Sequence, residues 1–156
     1  MHYKLENHIM TEDEKRAVCS WKYEGEYALY NLPTYEEMNA KKTGFMNPNK
    51  AKNYYSFYVQ DAYVGFVNIL EEAEEVFIGI GVNPEFCNRG YGQQMLQEVY
   101  EISKRLYPAK PLYLEVRSWN KRAIRCYEKA GFKVEGFPYQ LETGIGLGTF
   151  YRMTRK

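Results

Sequence analysis

The sequence has 156 residues, enough for a single domain with a sizeable core, and its 45% hydrophobic and 26% charged residues exclude disordered and fibrous classes. A net charge of +1 gives no general affinity for nucleic acid or for an anionic membrane, so any recognition of anions must be local. The opening stretch MHYKLENHIM has no signal-peptide pattern, and no segment is long and apolar enough to cross a bilayer. We therefore expect one soluble, cytoplasmic domain over residues 1–156, with no nucleic-acid partner and no membrane partner.

The first half of the chain is predicted to contain two short helices and three strands. Thr11 and Glu14 have the spacing of a capping box at the start of the first helix, and Thr34 follows a proline at the start of the second. The aromatic stretch 21–32 is interrupted by Gly25, and its structure is ambiguous from the sequence. In order, we expect a strand over residues 3–7, a helix over 11–21, a helix that begins at Thr34, a loop over 44–50, and strands over 54–60 and 63–70, followed by a solvated acidic turn over 71–75.

The middle of the chain predicts a strand, a glycine turn and a long helix. Apolar residues alternate over residues 76–82, which is typical of a strand with one buried face, and Gly79 and Gly81 indicate a place where a ligand or another backbone comes close. A helix is expected from about Gly90 to Leu106. Its apolar positions have helical spacing and predict one buried stripe, formed by Met95, Leu96, Val99, Ile102 and Leu106.

The turn between this strand and this helix is a candidate site for an anion. It contains Gly90 and Gly92, which let a phosphate oxygen approach without meeting a Cβ atom, and Arg89 adds a positive charge. The backbone N–H groups at a helix start have no partner within the helix, and the positive end of the helix dipole lies there too. Taken alone, the pattern fits a tight turn before a helix equally well.

The last part of the chain predicts a strand, a capped helix and two closing strands. Leu112, Leu114 and Val116 share one strand face, while Tyr113, Glu115 and Arg117 share the other. Asn120 is the expected N-cap of the next helix, whose inner face carries Ala123, Ile124 and Tyr127, and Gly131 is its expected end. Strands are expected over residues 132–141 and 148–153. This order of elements predicts an α/β sheet with antiparallel flanks.

Two motifs in the correct order resemble the signatures of the GNAT family of N-acetyltransferases. Residues 112–132, LYLEVRSWNKRAIRCYEKAGF, contain the Asn, Ala-Ile, Tyr and Gly-Phe of its second signature, and residues 87–92 stand where its first signature falls. Cys87 departs from the Gln or Arg that opens the first signature. LEVR at residues 114–117 is similar to the ribosomal-protein alanine N-acetyltransferases of this family. The resemblance implies a mixed sheet of about seven strands with antiparallel N-terminal strands and about four helices.

The resemblance also implies an activity and a set of binding residues. The activity is transfer of an acetyl group from acetyl-CoA to a primary amine by direct attack in a ternary complex, with no metal. The strand is expected to pair with the pantetheine arm and the turn to hold the pyrophosphate. The implied contacts to acetyl-CoA are Ile80, Gly81, Val82, Cys87, Asn88, Arg89, Gly90, Tyr91, Gly92, Gln93, Asn120, Ala123, Tyr127 and Lys129.

Two residues are expected to move protons. The family pattern places Tyr127 beside the thioester sulfur, where its hydroxyl could protonate the leaving thiolate. Glu115 is the first candidate for the base that takes the proton of the amine, because a partly desolvated Glu has a pKa suited to that task. Two alternatives stay open: a water chain could serve as base, and Glu115 could simply pair with Arg117 on one strand face.

The acceptor is not specified by a motif. Trp21, Tyr23, Tyr27, Tyr30 and Tyr139 are candidates for lining its pocket. A small amine, an aminoglycoside-like polyamine and a peptide N-terminus all fit, and exposed aromatic residues near 21–30 would allow a homodimer.

A function of another class also stays open. A non-catalytic acyl-CoA-binding sensor would need the turn and Asn120 but neither Tyr127 nor Glu115. A nucleotide-binding module is disfavoured because no Walker-type Lys-Ser/Thr follows the turn. The three cysteines, Cys19, Cys87 and Cys126, have no metal-like spacing. Four residues are interpreted as structural or surface residues, namely Cys87, Cys126, His2 and His8.

Overall fold

The computed structural model describes residues 4–156, so His2 and the predicted strand start at Tyr3 lie outside the described residues. Within residues 4–156 the backbone forms seven β-strands and four α-helices, together with short 3₁₀ turns. In chain order the strands and α-helices are β1 (Leu5–Ile9), α1 (Glu12–Ser20), α2 (Tyr35–Lys41), β2 (Tyr54–Val59), β3 (Ala62–Glu71), β4 (Val76–Val82), α3 (Tyr91–Leu106), β5 (Leu112–Arg117), α4 (Lys121–Lys129), β6 (Lys133–Thr143) and β7 (Gly146–Arg155).

The seven strands form one mixed sheet in the order β1-β2-β3-β4-β5-β7-β6. β4 and β5 are parallel. The pairs β1–β2, β2–β3, β5–β7 and β6–β7 are antiparallel. The predicted fold class, a mixed α/β sheet of about seven strands with antiparallel N-terminal strands and about four helices, is confirmed.

The chain divides into two compact units. The first comprises the chain up to Asn68 together with Ile80–Tyr91, and the second comprises Ile69–Gly79 together with Gly92–Lys156. The expectation of one acetyltransferase domain over residues 1–156 stays a prediction.

In the first unit, the predicted capping box starts α1. The Thr11 hydroxyl accepts a hydrogen bond from the Glu14 N–H at 3.3 Å, and the Glu14 carboxylate accepts one from the Thr11 N–H at 2.9 Å. The Thr34 hydroxyl caps α2 by accepting from the Glu37 N–H. The apolar faces of these helices pack into a cluster of buried side chains, which are Met10, Val18, Cys19, Met38, Phe45 and Met46.

In the second unit, α3, β5 and α4 have the predicted patterns with one exception. Met95, Leu96, Val99 and Ile102 are buried, but Leu106 is 50% exposed. Leu106 is the last residue of α3 and the last position of the apolar stripe. In β5, Leu112, Leu114 and Val116 are buried, as predicted.

Three other predicted details were wrong, and one stretch that was ambiguous in the sequence is now defined. The first strand lies over Leu5–Ile9 rather than residues 3–7. The ambiguous aromatic stretch contains a 3₁₀ helix, Gly25–Tyr30. The predicted loop at 44–50 contains a 3₁₀ turn whose Phe45 and Met46 are buried, since it supplies part of the first unit's core. Phe132 is buried just before β6 instead of beginning a strand.

Candidate active site

The strand β4 has its predicted bounds, but its predicted burial pattern holds only for its first half. Val76 and Ile78 are buried, whereas Ile80 and Val82 are half-buried. The second half of the strand therefore does not have one fully covered face. The family resemblance assigns this stretch to the pantetheine arm.

Gly81 is required by a neighbouring side chain. A Cβ atom at this position would lie 2.4 Å from the Phe66 ring, far inside van der Waals contact. The sequence predicted that a ligand or another backbone comes close to Gly81. In the structure, the group next to the place where a Cβ atom would stand is the Phe66 ring. The glycine is thus explained by packing within the first unit.

The segment after β4 is fastened to β3 before it turns. The Asn83 N–H donates to the Val64 carbonyl at 2.8 Å, and the Asn83 side-chain amide donates to the Tyr63 carbonyl at 2.9 Å. The Cys87 thiol points back toward the Val82 and Asn83 carbonyl oxygens, at 3.9 and 3.7 Å. Cys87, where the family has a long polar residue, therefore contacts the backbone of its own turn.

Beyond Cys87 the turn is open to solvent. Asn88, Arg89 and Gly90 are all exposed. Asn88 and Gly90 have positive φ angles of 65° and 84°, and a Cβ atom at Gly90 would meet nothing within 4 Å. A ligand can therefore approach this backbone closely.

The helix that follows adds the features of an anion site. α3 begins at Tyr91, directly after Gly90, and its first turn carries no acidic side chain. The Arg89 guanidinium lies 5.5 Å from the centre of the Phe86 ring, and Gln93 is exposed. Exposed backbone, a guanidinium and the start of a 16-residue helix are features that can attract an anion.

The aromatic residues after α1 pack inside the first unit. Trp21 makes an edge contact with Tyr63 at 5.1 Å between ring centres and also contacts Phe66. The Tyr23 hydroxyl donates to the Val82 carbonyl at 2.6 Å, which ties this segment to the end of β4. Four aromatic residues of this stretch are half-buried, namely Trp21, Tyr23, Tyr27 and Tyr30. The expectation that they are exposed was therefore wrong, and the homodimer that it would have allowed stays a prediction.

In the second unit, Glu115 is half-buried on the face of β5 opposite Leu112 and Leu114. Its carboxylate accepts a hydrogen bond from the Tyr139 hydroxyl at 2.7 Å. Burial, and the negative charge of Glu115, raise the pKa of Tyr139, which therefore stays a protonated donor. The neighbouring Arg117 places its guanidinium 4.9 Å from the centre of the Phe150 ring.

A residue that the sequence did not single out, Arg152, organises the charges on this face. Arg152 is the cross-strand partner of Glu115, but its guanidinium forms ion pairs with Glu75 and Glu135. It also lies 4.1 Å from the centre of the Tyr113 ring. Alternation along β7 could have placed Arg152 on this face, since the next residue, Met153, is buried on the other.

The helix α4 begins and ends as predicted. Asn120 is buried, and its side-chain oxygen accepts from the Ala123 N–H at 3.2 Å. Gly131 follows the helix with a φ of 93°, and the Phe132 N–H donates to the Tyr127 carbonyl at 3.0 Å. Tyr127 lies two helical turns after Asn120, which places the two on one side of the helix, and it is half-buried. Ala123 is half-buried on the same side, while Lys129 is exposed.

The cysteines are not arranged as nucleophiles. All three are free thiols, and burial raises the pKa of Cys19 and Cys126, which keeps those thiols protonated. Across residues 4–156, no group of three or more His, Cys, Asp or Glu side chains is placed to hold a metal ion. The helices formed by those residues include none with the length and apolar character needed to cross a membrane.

Comparison with known families assigns the chain. The family model for the acetyltransferase (GNAT) family matches residues 8–132. This chain is a member of the GNAT acetyltransferase family. The resemblance predicted from two short motifs is therefore confirmed, and the matched range of this GNAT chain includes both the glycine turn and Tyr127.

Two curated relatives share part of the sequence. An N-alpha-acetyltransferase of Sulfurisphaera tokodaii is 39% identical over 56 residues, which is 36% of this GNAT chain and 34% of that protein. The uncharacterized N-acetyltransferase YfmK of Bacillus subtilis is 32% identical over 78 residues, which is 46% of this chain and 47% of that protein. The chain thus matches about a third and about half of the length of these relatives.

Solved GNAT structures share the fold over nearly the whole chain. A GNAT-family acetyltransferase of Bacillus anthracis is 17% identical with a TM-score of 0.79, covering 99% of this chain and 97% of that one. The ribosomal-protein-S18-alanine N-acetyltransferase of Escherichia coli is 19% identical with a TM-score of 0.66, covering 97% and 93%. An aminoglycoside acetyltransferase in complex with coenzyme A is 19% identical with a TM-score of 0.73, covering 97% and 95%.

Proposed function

We propose that this GNAT chain transfers the acetyl group of acetyl-CoA to a primary amine, by direct attack in a ternary complex. The reaction forms a C–N bond and breaks the C–S bond of the thioester, so one proton must leave the amine and one must reach the thiolate. The observation that carries the proposal is the family match over residues 8–132, which contains the open turn and α4. The names of both curated relatives support an amine as acceptor.

Acetyl-CoA would supply an activated acetyl group. In this proposal the turn before α3 binds its diphosphate. The N–H groups of Asn88, Arg89, Gly90 and the first residues of α3 would donate to the phosphate oxygens, and the Arg89 side chain would add its charge. The exposure of Arg89 supports a role in binding the diphosphate. The proposed contacts also include Cys87, Tyr91, Gly92 and Gln93 beside the turn, Ile80, Gly81 and Val82 of β4, and Asn120, Ala123, Tyr127 and Lys129 of the α4 segment.

Glu115 is the proposed base. It is half-buried, and its hydrogen-bond donor is the neutral phenol of Tyr139. The nearest cross-strand cation, Arg152, is engaged by Glu75 and Glu135. Within residues 4–156 the Glu115 carboxylate forms no ion pair, which leaves it open to an incoming ammonium group whose proton it would take.

Tyr127 is the proposed acid. Its place in the motif, two turns into α4 from the buried cap Asn120, gives it the position that the family pattern assigns to the donor. The phenolic O–H would give its proton to the sulfur as the C–S bond breaks. Because α4 is fixed at one end by the Asn120 cap and at the other by the Gly131 turn, the Tyr127 backbone is well held.

The experiment is a thiol-release assay with acetyl-CoA and a panel of amines. The panel contains a peptide with a free N-terminus, spermidine and an aminoglycoside. We expect turnover with at least one of these amines, and we expect Tyr127→Phe and Glu115→Gln each to lower kcat by roughly 100-fold or more. Calorimetry should give the same affinity for coenzyme A in Glu115→Gln as in the wild type, and in Tyr127→Phe an affinity that is lower by no more than a few-fold.

A second variant tests the binding role of the turn. Arg89→Ala should weaken coenzyme A binding by about ten-fold, because it removes one charge from the proposed diphosphate site. Tight binding of coenzyme A with no turnover of any amine would overturn the proposal and favour a non-catalytic acyl-CoA-binding sensor.

A further inference from the structure

We infer that Tyr139 is a positioning residue that holds the Glu115 carboxylate in place for proton transfer. This inference rests on the proposed function, in which Glu115 is the base. The direct observation is the 2.7 Å hydrogen bond from the Tyr139 hydroxyl to Oε2 of Glu115. The two residues are 24 positions apart and lie on different strands, so the fold brings them together.

The charges around Glu115 make this hydrogen bond important. Arg152 faces Glu115 across β5 and β7, and an ion pair between them would hold the carboxylate in its charged form. Glu75 and Glu135 bind the Arg152 guanidinium instead, and the Tyr113 ring lies against it. A neutral phenol can then orient Glu115 without neutralising its charge.

An irregularity in β6 places Tyr139 where it can reach Glu115. β6 pairs with β7 at Glu135–Arg152 and again at Tyr139–Phe150, so four residue steps on β6 oppose two on β7. In a regular register Phe137 would stand opposite Phe150, and a phenylalanine has no O–H group to donate. The bulge puts Phe137 into solvent, where it is 91% exposed, and puts Tyr139 at that register position.

The sequence of this bulge suits its geometry. Gly136 has a φ of 75°, which glycine adopts without steric cost, and Pro138 has no N–H group to lose from the ladder. Bulges frequently lie next to active sites, where they redirect a side chain. The bulge between Glu135 and Tyr139 thus supplies a hydrogen-bond donor to the proposed base.

The test is a double-mutant cycle between Tyr139→Phe and Glu115→Gln, with Tyr113→Phe as the matched control. Tyr113 is also a half-buried tyrosine on this face whose hydroxyl donates to a carboxylate, that of Glu72, at 2.8 Å. We expect Tyr139→Phe to lower kcat roughly ten-fold, because a small misplacement of a catalytic group is costly. The KM for acetyl-CoA should not change, and Tyr113→Phe should stay within about two-fold of the wild type.

The cycle distinguishes action through Glu115 from a general structural role. In the Glu115→Gln background, Tyr139→Phe should cause no further loss of kcat. Urea unfolding without coenzyme gives an independent reading: Tyr139→Phe should lower the midpoint more in the wild-type background than in Glu115→Gln, because a hydrogen bond to a charged carboxylate is stronger than one to an amide.

Two results would overturn the inference. One is normal kcat in Tyr139→Phe while Glu115→Gln is impaired, which would leave the proposed function intact. The other is a loss in the double variant equal to the product of the two single losses, which would show that Tyr139 acts independently of Glu115. By contrast, a wild-type protein that turns over no amine would refute the proposed function as well as this inference.

Discussion

The two compact units each contain a glutamate that accepts a hydrogen bond from a tyrosine, and the two pairs are surrounded differently. In the first unit, Glu14 is only 6% exposed, and it accepts from the Tyr58 hydroxyl at 2.6 Å and from the Thr11 N–H at 2.9 Å. The His8 ring nitrogen lies 2.7 Å from it as well. In the second unit, Glu115 is half-buried and accepts from Tyr139.

The number of donors decides what each carboxylate can do. Burial alone would raise the pKa of Glu14, but hydrogen bonds from Tyr58, the Thr11 N–H and Ser56 outweigh it and lower the pKa to about 2. Glu14 is thereby locked in its charged form and joins the start of α1 to β2. Glu115 accepts from the single phenol of Tyr139, and the neighbouring Arg152 guanidinium is engaged by Glu75 and Glu135, which suits the proposed role of Glu115 as base. A tyrosine–glutamate hydrogen bond alone therefore does not distinguish a structural role from a chemical one. The other hydrogen-bond donors to the carboxylate must be counted as well.

The largest expected effect is on kcat, and it distinguishes Glu115 from Glu14. Glu115→Gln should lower kcat by about 100-fold or more, since an amide cannot act as a base. Its thermal midpoint should change little, because the amide can still accept the Tyr139 hydrogen bond. Steady-state kinetics and differential scanning calorimetry on the same preparation check both expectations, and a loss of stability without a loss of kcat would reverse the assignment.

For Glu14→Gln we expect the opposite pattern, a loss of stability with little change in kcat. The lowered pKa of Glu14 means that its stabilising contribution is present above its ordinary value of 4.5 and is lost as the pH falls toward 2. The substitution should remove on the order of 3 kcal/mol of unfolding free energy at pH 7 and flatten the dependence of stability on pH between about 5 and 2. Urea unfolding at several pH values measures this. Glu12→Gln, which changes an exposed carboxylate of the same helix, is the matched control.

Removing the donor instead of the acceptor should have a smaller effect. Tyr58→Phe leaves the buried Glu14 carboxylate with its other donors, so we expect a loss of about 1.5 to 2 kcal/mol of unfolding free energy. The change in kcat should be negligible for the folded protein. Unfolding curves give the first quantity, and a fall in kcat of more than a few-fold would contradict the structural role of this pair.

The smallest expected effect concerns a tyrosine that donates to an uncharged acceptor. Tyr23→Phe removes the hydrogen bond to the Val82 carbonyl, which is worth about 0.5 to 1.5 kcal/mol because neither partner carries a charge. Because this hydrogen bond holds the end of β4, the affinity for coenzyme A should fall by a few-fold. Calorimetric titration measures it, with Tyr55→Phe on β2 as a comparison. An affinity equal to that of the wild type would show that this hydrogen bond does not affect binding.

Features of the fold that depend on neighbouring residues were predictable from the sequence. The caps at Thr11, Thr34 and Asn120 follow from side chains that reach N–H groups three residues ahead, whatever the rest of the chain does. The bounds of β4 and β5 follow from the alternation of their apolar residues and from adjacent prolines and glycines. The turn before α3 follows from its glycines and from the start of the helix, while its role as an anion site stays a prediction.

Features that depend on strand register were not predictable in this way. The Tyr139 contact with Glu115 needs the bulge after Glu135, and the Tyr58 contact with Glu14 spans 44 positions. Tyr139 was placed among the acceptor-lining residues, and its hydrogen bond to Glu115 was missed. Gly136 and Pro138 are the sequence signal that could have indicated the bulge, because both are unfavourable within a regular strand.

The contact between Gly81 and Phe66 bears on how this chain would respond to random mutagenesis. The aromatic ring fills the volume that any larger residue at position 81 would need. A library randomised at this codon and sorted only for folded protein should therefore return glycine, even in the complete absence of coenzyme. Enrichment of glycine there would report the fit of two neighbouring strands, and it should not be taken as a sign of ligand selection.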